Sequence, residues 1–149
     1  MKTQKMIKLT LWANRLVALL VGSLLFALPG LTLWYCGLLG FTPPMRDFWA
    51  VMICFYCCTV AIFAALWNME KLLHNLLGAQ VFTRANVRRV RNIQWCCGIV
   101  TLISVVASFF AWCMLVIVAI MGFLTLVVGV VASVLDAAVA LQEENDLTI

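Results

Sequence analysis

The sequence predicts an all-α protein: an integral membrane bundle of four transmembrane helices, with an amphipathic cytoplasmic helical segment between spans 2 and 3. Three observations predict it. Two-thirds of the residues are apolar (66%) and 11% are charged, where a soluble domain carries roughly 45–50% and about 25%. A chain of 149 residues cannot hide that much apolar surface from water, so its solvent is lipid. Four stretches are long and apolar enough to cross a bilayer, and the tryptophans and basic residues fall in flanks that alternate between two sides.

The first span, 16–35, follows Lys2, Lys5, Lys8 and Arg15. A basic start before an apolar run also describes a signal peptide. Here the run is too long and "LFALPG" lacks the small-x-small cleavage pattern, so an uncleaved span is expected. The second span covers 48–67. From Trp95 to Leu135 no side chain is charged, and as helix this run would measure roughly 60 Å against a hydrocarbon core of about 30 Å. It must fold back. Phe109, Phe110 and Trp112 close a third span, 95–112, and Leu115 opens a fourth, 115–137.

Trp12, Trp67 and Trp95 fall at one predicted face, and Trp34, Trp49 and Trp112 at the other. Indole rings favour the headgroup level, where the ring is half buried and its N–H stays wet. Basic residues set the orientation. Lys2, Lys5, Lys8, Arg15, Lys71, Arg84, Arg88, Arg89 and Arg91 lie on one side, and Arg46 alone on the other. The positive-inside rule then predicts a multi-pass protein of a bacterial cytoplasmic (inner) membrane, with both termini and the loop 68–92 in the cytoplasm.

That loop reads as two helical pieces. Met69, Leu72, Leu73, Leu76 and Leu77 form an apolar stripe, with Gly78 suited to a C-terminal cap. Thr83 is placed as an N-cap, with Phe82 and Val87 as a hydrophobic staple. Arg84, Arg88 and Arg91 then share one face, with Arg89 displaced to the side. Such a face orients the chain, snorkels into anionic headgroups, or docks an acidic cytoplasmic partner. Direct nucleic-acid binding is disfavoured, because no recognition fold or stacking platform accompanies the charge. The tail, 138–149, carries Glu143, Glu144, Asn145 and Asp146, then the apolar Leu147 and Ile149. A solvated tail and an intramolecular contact with the arginine face are both open to it.

The "FT..N" pattern at Phe82, Thr83 and Asn86, followed by a basic helix, and the ending "L.EENDLTI" resemble a bacterial family of short four-helix membrane proteins, domain of unknown function 2975. The resemblance covers essentially the whole chain, and the tail is its most specific part. Its members are commonly encoded beside a small helix-turn-helix regulator, which implies such a transcription regulator as a cytoplasmic partner. It implies no catalytic residues. The chain departs from the family at Ser133, where an acidic residue is frequent, and at Ala138, where glycine is common.

Other chemistry finds little support. No charged residue lies mid-span, as a proton-coupled transporter would need. The single histidine, His74, leaves no pair of haem ligands and no imidazole base for a nucleophile within a span. Seven cysteines include Cys54 and Cys57 in a C-x-x-C, but zinc would need a second pair. Apolar surroundings favour packing cysteines over reactive ones. Cys36 and Cys113, at outer span ends, are a candidate pair. Thr125, Gly129, Ser133 and Ala137 place a small residue at every fourth position of span four, a seam for helix packing or for a homo-oligomer. The expectation is therefore a protein without enzyme activity, cofactor or metal, embedded in the lipid bilayer. It would engage a cytoplasmic partner through its basic loop and acidic tail. The alternatives are a membrane thiol/quinone redox protein and a lipid-binding or envelope-stress component.

Overall fold

The structure, a computed structural model, describes residues 2–38, 40, 44–78, 82–110 and 114–147. Four helices make up nearly all of it: α1 (Lys2–Leu38), α2 (Met45–Leu77), α3 (Arg84–Ser108) and α4 (Met114–Leu147). All four are long and apolar enough to cross a membrane, and no strand occurs among the described residues. The chain is all-α and built as a multi-pass membrane protein.

The helices outrun the bilayer. α1, α2 and α4 have 37, 33 and 34 residues, or about 50–55 Å each against a core of about 30 Å. The amphipathic segment predicted between spans 2 and 3 is thus continuous with the spans themselves. α2 runs unbroken through Asn68 to Leu77, and α3 is already helical at Arg84. Asn68 marks a change of solvent, and with neither glycine nor proline before Gly78 nothing there interrupts the backbone ladder. Gly78 caps α2 in a right-handed conformation (φ −79°), its N–H donating to the carbonyls of His74 and Asn75.

Packing follows chain order: α1 contacts α2, α2 contacts α3, and α3 contacts α4. Both ends of the described chain and the α2–α3 connection lie at one end of the assembly. There Arg15 pairs with Glu70, Asn75 with Asn86, and Arg84 with Glu143. The tryptophans Trp12, Trp34, Trp49, Trp67 and Trp95 are all exposed, open to a surrounding headgroup layer. Lys71 Nζ lies 5.1 Å above the Trp67 ring, a cation–π contact at that level. Trp112 is outside the described residues.

The α3–α4 seam is the best-defined packing. Arg84 meets Glu143, Arg91 meets Asp136, Gln94 lies against Gly129, Gly98 against Thr125 and Thr101 against Gly122. Contacts that climb one helix while descending the other mark an antiparallel pair. On α4 the seam continues through the buried Ala132 and Val139. Gly122, Thr125, Gly129, Ala132, Asp136, Val139 and Glu143 therefore alternate steps of three and four, the spacing of a coiled-coil seam. Of the small residues at every fourth position, Thr125 and Gly129 face α3 while Ser133 and Ala137 are exposed. A strict four-residue repeat drifts about 40° around the helix per step, so it leaves the seam after two members.

A Cβ at Gly129 would sit 2.6 Å from Gln94 Nε2, whereas nothing approaches Gly30 within 4 Å. Gly129→Leu is expected to destabilise the detergent-solubilised protein by about 1–3 kcal/mol through overpacking. Gly30→Leu leaves it unchanged, and adding Gln94→Ala to Gly129→Leu restores part of the loss. Thermal melts of the three variants check this. An unaltered melt for Gly129→Leu would refute the seam.

Candidate functional site

Where α2, α3 and α4 rise past their apolar spans, burial resumes. Leu73 on α2, Asn86, Val87 and Val90 on α3, and Val139 on α4 are all buried. The apolar stripe predicted from Met69 to Leu77 supplies Leu73 at its centre, and its polar neighbours Lys71 and His74 face outward. Here water is the solvent again and ordinary hydrophobic burial stabilises the contact.

Asn86 is the most enclosed residue of this junction, with 0% of its surface exposed. Asn75, near the end of α2, donates through Nδ2 to Asn86 Oδ1 at 2.8 Å, tying the two helices across the connection between them. The backbone amides of Asn86 and Val87 donate to the Thr83 carbonyl, which starts α3 from an extended residue (φ −130°, ψ 144°). Thr83 thus occupies the N-cap position, but its hydroxyl makes no capping bond. Its Oγ1 is buried without a partner among the described residues. Val87 is buried and Phe82 half exposed, which makes the expected staple one-sided.

One turn away lies a charge lock. Arg84 donates through Nε and Nη2 to the two carboxylate oxygens of Glu143, at 3.0 and 2.7 Å, and through Nη1 to Asp136 Oδ1 at 2.9 Å. Arg91 Nη2 lies 3.5 Å from the other oxygen of Asp136. The planar guanidinium is suited to this fork, which fixes direction as well as distance. The hydrogen bonds from Arg84 hold the Glu143 carboxyl below its usual range, and Glu143 in turn raises Arg84. Both side chains are about half exposed, so solvent screens the pair and its main effect is to set register.

The structure therefore divides the residues predicted for partner or lipid contact. Arg84, Arg91 and Glu143 are brought together inside the molecule. Arg88 and Arg89 have no ion pair among the described residues, and Arg88 is exposed. Glu144 and Asn145 are engaged in contacts of their own, and Asp146 is exposed at the end of α4. Ile149 lies outside the described residues. Sequence reasoning placed Asp136 only at a span end and gave Asn75 no role. The signal was present: Arg84 and Arg91 are seven apart, as are Asp136 and Glu143.

Among the described residues no three His, Cys, Asp or Glu side chains gather to hold a metal. Cys36, Cys54, Cys57, Cys58, Cys96 and Cys97 are free thiols. The pairing expected of Cys36 falls on Cys113, which lies outside the described residues. Cys54 and Cys58 line a cavity of about 160 Å³ between α2, α3 and α4, together with the buried Ser104.

Two measurements probe the junction. Asn86→Ala leaves the half-buried Asn75 amide without its acceptor and is expected to cost about 1–3 kcal/mol, part of which Asn75→Ala recovers in the double variant. The lock also has an acid limit. A depressed carboxyl contributes stability above its unfolded value and loses it as pH falls through the folded value. Amide protection factors at the end of α4, measured relative to the intrinsic exchange rate at each pH, should therefore fall as pH drops below the 4.5 of an unperturbed glutamate. Glu143→Gln should show fast exchange already at neutral pH. An end of α4 equally protected at all these pH values would exclude the lock.

Similarity to known proteins bears on the same residues. No curated protein and no solved structure matches the chain. A family model described as a protein of unknown function (DUF2975) does match, over residues 10–149. That match takes in α1 from Thr10 onward, the other three helices, the Asn75–Asn86 tie and the Arg84–Glu143 lock. The chain belongs to the DUF2975 family.

Proposed function

We propose that this is a non-enzymatic protein of the bacterial inner membrane, with termini in the cytoplasm, that docks a cytoplasmic partner on the junction of α2, α3 and α4. One observation carries the reading. Of four arginines within eight positions, Arg84 and Arg91 are neutralised internally while Arg88 and Arg89 keep their charge for something else. Orientation by the positive-inside rule needs only the net excess of cations on that side. A rigid platform with two uncommitted guanidinium groups is more than orientation requires. The charge fits a protein partner that presents acids toward Arg88 and Arg89, since no recognition fold or stacking platform for nucleic acid accompanies it. The resemblance noted in the sequence implies a small helix-turn-helix regulator as that partner.

The test is co-purification, in mild detergent, with the small helix-turn-helix regulator that the resemblance implies. Arg88→Glu with Arg89→Glu should cut its recovery by about tenfold or more, equivalent to ~1.4 kcal/mol of opposed contact. Membrane insertion should be unchanged. Equal recovery with parent and variant, or none with either, rejects the docking reading. The thiol/quinone alternative keeps one observation, the shared cavity of Cys54 and Cys58. Replacing all seven cysteines by serine or alanine leaves recovery intact if docking is correct.

A further inference from the structure

α1 stands apart from the other helices. It packs on α2 alone, and none of its apolar window is buried. Near its start an open groove of about 780 Å³ lies between α1 and α2. Its two ends differ in chemistry. Toward the interior it is lined by Leu19, Gly22, Phe26 and Phe63, and at the level of Trp67 by Arg15 and Glu70. From Arg15 to Phe26 the groove follows about 16 Å of helix axis, enough for much of an acyl chain. A headgroup-level charge pair above an apolar slot is the outline of a phospholipid.

The pair itself narrows the choice. Arg15 directs both Nε and Nη2 at a single oxygen, Glu70 Oε1, at 2.9 and 2.8 Å. Arg15 Nη1 and Glu70 Oε2 are without partners among the described residues, and the Arg15 side chain is 60% exposed. The site thus offers a free donor of positive charge beside a free acceptor of negative charge. A phosphate satisfies the first and a primary ammonium the second. A glycerol headgroup offers Oε2 only a neutral hydroxyl in place of a charged donor, and a quaternary ammonium has no N–H to donate to it.

We propose that the α1–α2 groove binds a zwitterionic phospholipid with a primary ammonium, phosphatidylethanolamine, its phosphate on Arg15, its ammonium on Glu70 and an acyl chain along Gly22 and Phe63. This goes beyond the docking reading and does not depend on it. The probe is an equimolar mixture of phosphatidylethanolamine, phosphatidylglycerol and phosphatidylcholine with identical acyl chains. It is offered to the full chain in detergent micelles, and retained lipid is read by native mass spectrometry. Phosphatidylethanolamine should be retained about fivefold or more over each competitor. Glu70→Gln should turn the preference toward phosphatidylglycerol by leaving Arg15 unopposed. Ala18→Phe, which fills the groove without touching the ion pair, should reduce retention of all three lipids, with circular dichroism confirming intact helices. Equal retention of the three lipids by the parent, an unchanged preference in Glu70→Gln, or undiminished retention in Ala18→Phe would each overturn the proposal.

Discussion

Inside a bilayer an apolar side chain gains little by turning from lipid toward protein, so the leucines and valines that define a span do not hold it to its neighbours. Cohesion has to come from close backbone approach and from polar contacts. In this chain both concentrate on α3 and α4. Gly98, Gly122 and Gly129 let the helices come near along the membrane, and Arg84 clamps Glu143 and Asp136 beyond it. Because these helices extend into water, the same seam then gains the hydrophobic burial of Val87, Val90 and Val139. Its register decides where every polar group at the charged end of α3 and α4 stands.

Placing the ion pairs on that register gives the arginine run three separate tasks. All four arginines belong to the charge asymmetry from which the positive-inside rule predicts an orientation. Arg84 and Arg91 also align α3 with α4. Arg88, which is exposed, and the half-buried Arg89 make no ion pair among the described residues. For the docking proposed above, a helical surface of this kind would lose less freedom when a partner arrives than a mobile basic loop.

Much of the fold was legible because lipid imposes a strict minimum length and apolarity on a span, and aromatic and basic residues mark its ends. The helical pieces at 68–77 and 84–91 were legible from their periodicity. Their fusion to the spans was not, because a change from apolar to mixed composition at Asn68 looks the same whether the helix stops or only enters water. The packing seam was misplaced by a different cause. A small residue at every fourth position catches the eye, whereas the true seam mixes Ala132, Asp136, Val139 and Glu143 and shows no uniform residue type. The site was half legible. Opposite charges on loop and tail pointed to a contact, but pairing Arg84 with Asp136 as well as Glu143, and Asn75 with Asn86, required the helices to be in register first.

The chain-order packing of the helices also bears on biogenesis. Each helix contacts only its predecessor and successor, so no loop between distant segments has to close before a contact forms. Such local topology favours rapid assembly, with each helix joining a neighbour already in the membrane. α3 enters with Arg84 unmatched, and its guanidinium is neutralised when α4 has crossed and carried Asp136 and Glu143 back to the same side. Completion of the lock thus coincides with completion of topology.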